Sequence, residues 1–131
     1  RNMEARAMTI LPPLRRVVIE SPWRASQAYS TEQHRTYLLH AMADCVARGE
    51  VPFASHLYLT EVLDDDNPRE RAFGIEAGWC WAEYAEAIVV YVDFGVSAGM
   101  SQSIDHYEKL GKPIERRTLP RPIVDDIIRS A

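Results

Sequence analysis

The run Ala-Ile-Val-Val-Tyr-Val at residues 87–92 carries no charged side chain before it ends at Asp93, and Gly95, Gly99 and a helical pattern follow it. An apolar run this short, without alternation, reads as a strand covered on both faces, and helices on each side of a parallel sheet supply that cover. A second β-branched run, Val17, Val18 and Ile19, ends at Pro22 and has the same character. These two strands narrow the chain to the α/β class.

Helical periodicity fills the space between. Tyr37, Leu38, Ala41, Met42, Cys45 and Val46 share one face, with Ser30 and Gln33 spaced as a capping box and Gly49 as the stop. Asn67, Pro68 and Glu70 mark a second helix start, followed by Ile75, Trp79 and Ala82 at core spacing. Met100, Ile104 and Tyr107 define a third helix, ended by Gly111 and Pro113. A short strand at Phe53–Ser55 and a last one from Pro113 to Leu119 complete the alternation. The order β-α-β-α-β-α-β predicts an α/β, Rossmann-like parallel sheet of four to five strands between helices. Residues 15–119 form the domain, 1–14 an N-terminal extension and 120–131 a C-terminal tail, in which Ile123, Ile127 and Ile128 suit a short amphipathic helix.

A net charge of −4 over 131 residues offers no basic footprint for a phosphate backbone, so general nucleic-acid binding is not expected. No apolar run approaches the roughly 20 residues of a membrane span. The first residues are charged but lack the continuous apolar stretch of a signal peptide. Cys45 and Cys80 have neither CxxC spacing nor metal-ligand spacing and read as buried free thiols, in keeping with a cytoplasmic location. The chain begins at Arg1, and Met3 or Met8 is the expected natural start. Trp81 and the isoleucine-rich tail are expected to support a homo-oligomer.

In such sheets ligands bind beyond the carboxyl ends of the strands, where the strand order reverses. Three loops are therefore expected to converge, Glu20–Ser26, His56–Asp66 and Asp93–Gly99. The first offers Ser21, Pro22, Trp23 and Arg24: an arginine for a phosphate or carboxylate beside an aromatic plane for a base or sugar. The third offers Asp93 at a strand end, then Ser97, Gly99 and Met100 at a helix N-terminus suited to an anion. The second holds His56 ahead of Asp64, Asp65 and Asp66, which reads either as general acid/base groups, as a magnesium site, or as a solvated acidic loop. No metal is assigned there and no cofactor is implied. Glu76 and Glu83 share a helix face, and Glu76 is either a base at the crevice or a solvent-facing partner of Arg69 or Arg71. His34, His40 and His106 are placed on helix surfaces.

The loop order, with Glu-Ser-Pro-Trp after the first strand, His56 after the second, and Val-Asp-Phe-Gly-Val-Ser-Ala-Gly-Met with Gly-Lys-Pro after the third, resembles the nucleoside deoxyribosyltransferase-like superfamily. The resemblance covers residues 15–119 and is nearest to small phage and bacterial members. It implies a sugar site around Pro22 and Trp23, a base-side aspartate at Asp93, and a helix turn at Ser97, Gly99 and Met100 leading to a glutamate that attacks the anomeric carbon. That glutamate is expected two or three residues after Met100, where this chain has Gln102 and Ser103. Asp105 is the nearest acid on the helix. A neutral side chain supplies no anionic oxygen for an oxocarbenium-like transition state.

Two functions remain open from the sequence. One is an N-glycosidase or glycosyl transferase acting on an N-ribosyl bond of a nucleoside or nucleotide, with its acid drawn from Asp93, Glu76 or Glu20. The other is a non-catalytic binder of a nucleotide-derived metabolite or signal. A structural protein with a vestigial crevice stands behind both.

Overall fold

The computed structural model describes residues 14–130. Residues 1–13, nearly all of the expected N-terminal extension, lie outside that range. Four strands, β1 (Arg15–Glu20), β2 (Glu50–Phe53), β3 (Ala87–Tyr91) and β4 (Ile114–Arg117), form one all-parallel sheet in the order β2-β1-β3-β4. Five helices flank it: α1 (Thr31–Ala47), a single turn α2 (Ser55–Tyr58), α3 (Pro68–Ala82), α4 (Ala98–Lys109) and α5 (Arg121–Arg129). This is the expected α/β, Rossmann-like arrangement. The chain runs from β1 outward to β2 and returns to place β3 on the other side of β1, so the order reverses between β1 and β3.

Local chemistry sets the helix starts. Ser30 Oγ accepts from the Gln33 backbone N–H while Gln33 Oε1 accepts from the Ser30 N–H, closing the capping box of α1. Asn67 Oδ1 accepts from the N–H groups of Arg69 and Glu70, with Pro68 as the first residue of α3. Ser97 caps α4 by accepting from Met100 N–H. Gly95, just before this cap, has φ +87°, a conformation that side chains with a Cβ rarely adopt.

Strand residues alternate between the two faces. Val17 and Ile19 of β1 with Ala87, Val89 and Tyr91 of β3 pack beneath α1, joined by Val124 and Ile127 of α5. Val18, Ile88 and Val90 face the opposite side and pack with Ala82, Met100, Ile104 and Tyr107. Under α1 the two edge strands are also tied by charge. Arg117 of β4 donates to both carboxylate oxygens of Glu50 of β2 at 2.8 and 2.7 Å, and to the Tyr91 hydroxyl at 3.2 Å, all buried. A buried guanidinium is tolerated only when paired in this way.

Four sequence expectations change. The segment after β2 is not loop alone but α2 and a 3-10 turn over Leu59–Glu61. Cys80 is exposed, because it lies on the outer face of α3, while Cys45 is buried as expected. His34 is buried, because its face of α1 lies under the loop where Trp23 O stands 3.2 Å from Nδ1. The tail packs inward: Gln33 Nε2 donates to Ile127 O at 3.1 Å and Ile127 is 2% exposed, whereas Trp81 remains 54% exposed.

Candidate functional site

A cavity of about 160 Å³ opens where the strand order reverses, beyond the carboxyl end of β1. Its floor is the end of β1 and the turn after it, Glu20 to Arg24. Its walls are α2 with the turn that follows, the inner face of α3 and the first two turns of α4. Glycines shape the α3 wall. Gly74 and Gly78 sit one turn apart, and a Cβ on Gly78 would come within 3.1 Å of Ser55 Oγ, so the bare stripe lets α2 approach α3.

Glu20 and Ser21 leave β1 in succession, and both line the cavity. Glu20 continues the face of Val18, which places its carboxyl against α4, where Tyr107 donates to Oε2 at 3.0 Å. The residue is half-buried and lines the cavity; desolvation pushes its carboxyl up to about 8, and the Tyr107 hydrogen bond pulls the other way. That shift favours the protonated acid at neutral pH. Ser21 Oγ lies 3.1 Å from His56 Nε2. Burial pushes His56 down to about 4, so it is a neutral imidazole there. Trp23 meets the His56 ring edge-on at 5.5 Å.

The mouth is charged. Arg71 Nη1 donates to both carboxylate oxygens of Asp65 at 3.2 Å, and Arg24 Nε stands 3.5 Å from the same carboxylate. Arg24 also donates to the exposed Asp66. The other end of Arg71 lies against α4: a Cβ on Gly99 would be 3.2 Å from its Nη2. The Arg71 guanidinium thus stands at the positive end of α4, and Asp65 lies between it and Arg24.

Of the residues singled out from sequence, Glu20, Ser21, Pro22, Trp23, Arg24, His56, Ser97, Gly99 and Met100 all line this one cavity. Asp93 and Glu76 do not. Asp93 continues the face of Tyr91, toward α1, where its Oδ2 accepts from Tyr37 Oη at 2.7 Å and Leu119 N–H at 2.9 Å. It acts there as a clamp between β3, α1 and the segment after β4. Glu76 is exposed, because the inner face of α3 is made by Glu70, Arg71, Gly74, Ile75 and Gly78. On α4, Gln102 and Asp105 are exposed, while Ser103 is buried and lines the cavity.

From the sequence alone Arg71 reads only as a partner for glutamates and Tyr107 only as core. Arg71 had a detectable signal, the Gly74–Gly78 stripe that marks its side of α3 as a wall. Tyr107 had none, since its spacing is that of any core residue. Among the described residues no three His, Cys, Asp or Glu side chains are grouped to hold a metal ion, and no helix is long and apolar enough to cross a membrane.

The fold and this cavity define an α/β domain with a polar-floored pocket at the reversal of strand order. The chain matches the family described as domain of unknown function DUF7768 over residues 15–117, and it belongs to that family. Comparison with curated proteins and with solved structures gives no match.

Proposed function

We propose that this protein acts on the N-ribosyl bond of a nucleoside or nucleotide, as a glycosidase or glycosyl transferase, with Glu20 as the general acid. The observation that carries the reading is the Glu20 carboxyl on the floor of the cavity, bonded to Tyr107 and pushed up to about 8 by desolvation. Departure of a base from an anomeric carbon needs a proton on the leaving nitrogen, and an acid with a pKa near the working pH supplies it. In hydrolysis Glu20 gives its proton to the base as the C–N bond breaks. Water then adds to the sugar carbon and returns a proton to the Glu20 carboxylate. Neutral His56 and Ser21 are suited to hold sugar hydroxyls, Trp23 gives an aromatic edge, and Arg24 and Arg71 stand at the mouth for an anionic group of the ligand.

The resemblance to the nucleoside deoxyribosyltransferase-like superfamily supports this substrate class, with the carboxyl supplied by β1 instead of α4. Ser103, on the cavity side of α4, leaves that side of the helix without a carboxylate to form a covalent sugar intermediate. That same feature favours a second reading, a binder of a nucleotide-derived metabolite.

A base-release assay across nucleosides and 5′-nucleotides separates the two. Glu20→Gln is expected to lower turnover at least about a hundredfold, the low end for a general acid, and the wild-type rate is expected to fall as pH rises through the Glu20 titration. Base release that survives Glu20→Gln sinks the assignment. Ligand-induced melting shifts without base release from any compound replace the enzyme with the binder.

A further inference from the structure

We propose that Asp65 sets the specificity of the cavity mouth: its carboxylate occupies the place between Arg71 and Arg24 that the phosphate group of a ligand takes, and only a phosphate monoester displaces it. The proposal deepens the nucleotide reading and rests on it for the identity of the ligand, while the anion site stands on geometry. Arg24, Asp65 and Arg71 all line the cavity. The buried Arg117–Glu50 pair shows how a lasting bond of this type is made here, fork to fork, with Nη1 on Oε1 at 2.8 Å and Nη2 on Oε2 at 2.7 Å. Arg71 instead offers Asp65 a single nitrogen, Nη1, shared between both carboxylate oxygens at 3.2 Å each. Among the described residues Arg71 Nε and Nη2 meet no acceptor. Arg24 Nε stands 3.5 Å from Asp65 Oδ2, at the long end of contact, and its Nη2 is given to Asp66. A carboxylate with two oxygens therefore leaves donors of both guanidinium groups unused. A phosphate monoester has three terminal oxygens and nearly two charges at neutral pH, so it can bind one guanidinium bidentately and still reach the other.

The loop that carries Asp65 is held by its neighbours. Asp64 N–H donates to Glu70 Oε1 at 2.7 Å, Asp64 Oδ1 accepts from Asp66 N–H at 2.9 Å, and Asn67 N–H donates to Asp64 O at 3.0 Å. Leu63 packs on the α3 wall, its Cδ1 3.7 Å from where a Cβ on Gly74 would stand. The Asp65 side chain is thus spare to the loop, and a half-exposed ion pair of this kind adds little to stability. Its effect on ligands is larger. A free carboxylate offers Arg71 and Arg24 nothing that Asp65 does not already supply without losing its freedom in solution, whereas a phosphate dianion brings an extra oxygen and an extra charge. With Asp65 in place the mouth discriminates phosphate from carboxylate, and without it both should enter.

The test is calorimetric titration of the full chain with inorganic phosphate and with acetate at low ionic strength. The wild type is expected to bind phosphate and not acetate. Asp65→Asn keeps the size of the side chain and removes its charge, and it should bind phosphate about fivefold more tightly, the scale of a competing surface ion pair, and admit acetate. Asp66→Asn is the control for net charge. It removes the same charge one residue on, from a carboxylate 86% exposed, and should change phosphate affinity by less than about twofold. Arg71→Gln should abolish phosphate binding. An affinity for phosphate in Asp65→Asn no higher than in the wild type overturns the proposal, as does an equal gain in Asp66→Asn, phosphate binding that survives Arg71→Gln, or no phosphate binding to any form. Should Asp65→Asn not fold, Asp65→Ala decides by the same readings. Failure of the nucleotide reading shows separately, as 5′-nucleotides that bind no tighter than inorganic phosphate, and would leave the gain in Asp65→Asn in place.

Discussion

Glu20 and His56 line the same cavity and are linked to pH in opposite senses. The Glu20 carboxyl, ordinarily near 4.5, titrates at about 8 in the folded chain, so between those values the folded state holds a proton that the unfolded chain has lost. Its burial costs nothing below pH 4.5, progressively more up to pH 8, and a constant amount above. His56 falls from 6.5 to about 4, so in that window the unfolded chain holds the extra proton and stability is lost as the pH drops. From 4.5 to 6.5 the two slopes cancel, and from 6.5 to 8 Glu20 acts alone. Stability should therefore fall by about 2 kcal/mol across that upper window, at roughly 1.4 kcal/mol per pH unit. Urea unfolding at the two ends of the window measures it, and Glu20→Gln should remove the slope. A slope that persists in Glu20→Gln would assign it to another group.

At the scale of elements, what the sequence revealed and what it hid follow from one geometric fact. Strand existence and helix caps are local properties, and Val17–Ile19, Ala87–Tyr91, Ser30 and Asn67 all carried their own signals. Which face a strand residue takes depends on register between strands. Glu20 pairs with Val90 and shares its face, so Asp93, three residues on, faces α1. Nothing local distinguishes these two acids, which is why both were candidates and only Glu20 reaches the cavity. The loops near the site were legible as far as their positions past strand ends, and the Arg71–Asp65 pairing across the mouth was not. Gly99 offers a test of that mouth. A methyl group there meets only the far end of the flexible Arg71 side chain at 3.2 Å, and the guanidinium can give way. Gly99→Ala should keep or raise stability, by up to about 1 kcal/mol from helix propensity. On the proposed function it should weaken binding of 5′-nucleotides while leaving the matching nucleosides unaffected, as calorimetric titration would show. Equal losses for both would place Arg71 away from the anionic group.

At the scale of the molecule, the sheet divides the interior into two cores with different duties. Toward α1 and α5 lie Tyr37, Leu38, Val89, Tyr91, Val124 and Ile127, together with the buried Arg117–Glu50 pair, and none of these lines the cavity. Toward α3 and α4 lie Met100, Ile104 and Tyr107, and this side holds the cavity and the acid. Removing part of the first core should therefore lower stability without touching the site. Ile127→Ala, at 2% exposure on α5, should cost about 2–5 kcal/mol in denaturant unfolding, the range for truncating a buried isoleucine. It should leave the Glu20 titration and ligand affinity as they are. Glu20→Gln at pH 8 should do the reverse, raising stability and, on the proposed function, lowering turnover at least about a hundredfold. Because Ile127 and Glu20 share no hydrogen-bond partner and lie on opposite faces, the double variant should show the sum of the two stability changes to within about 0.5 kcal/mol. A larger departure from the sum would mean that the sheet transmits strain from one face to the other, and that the two cores are not independent.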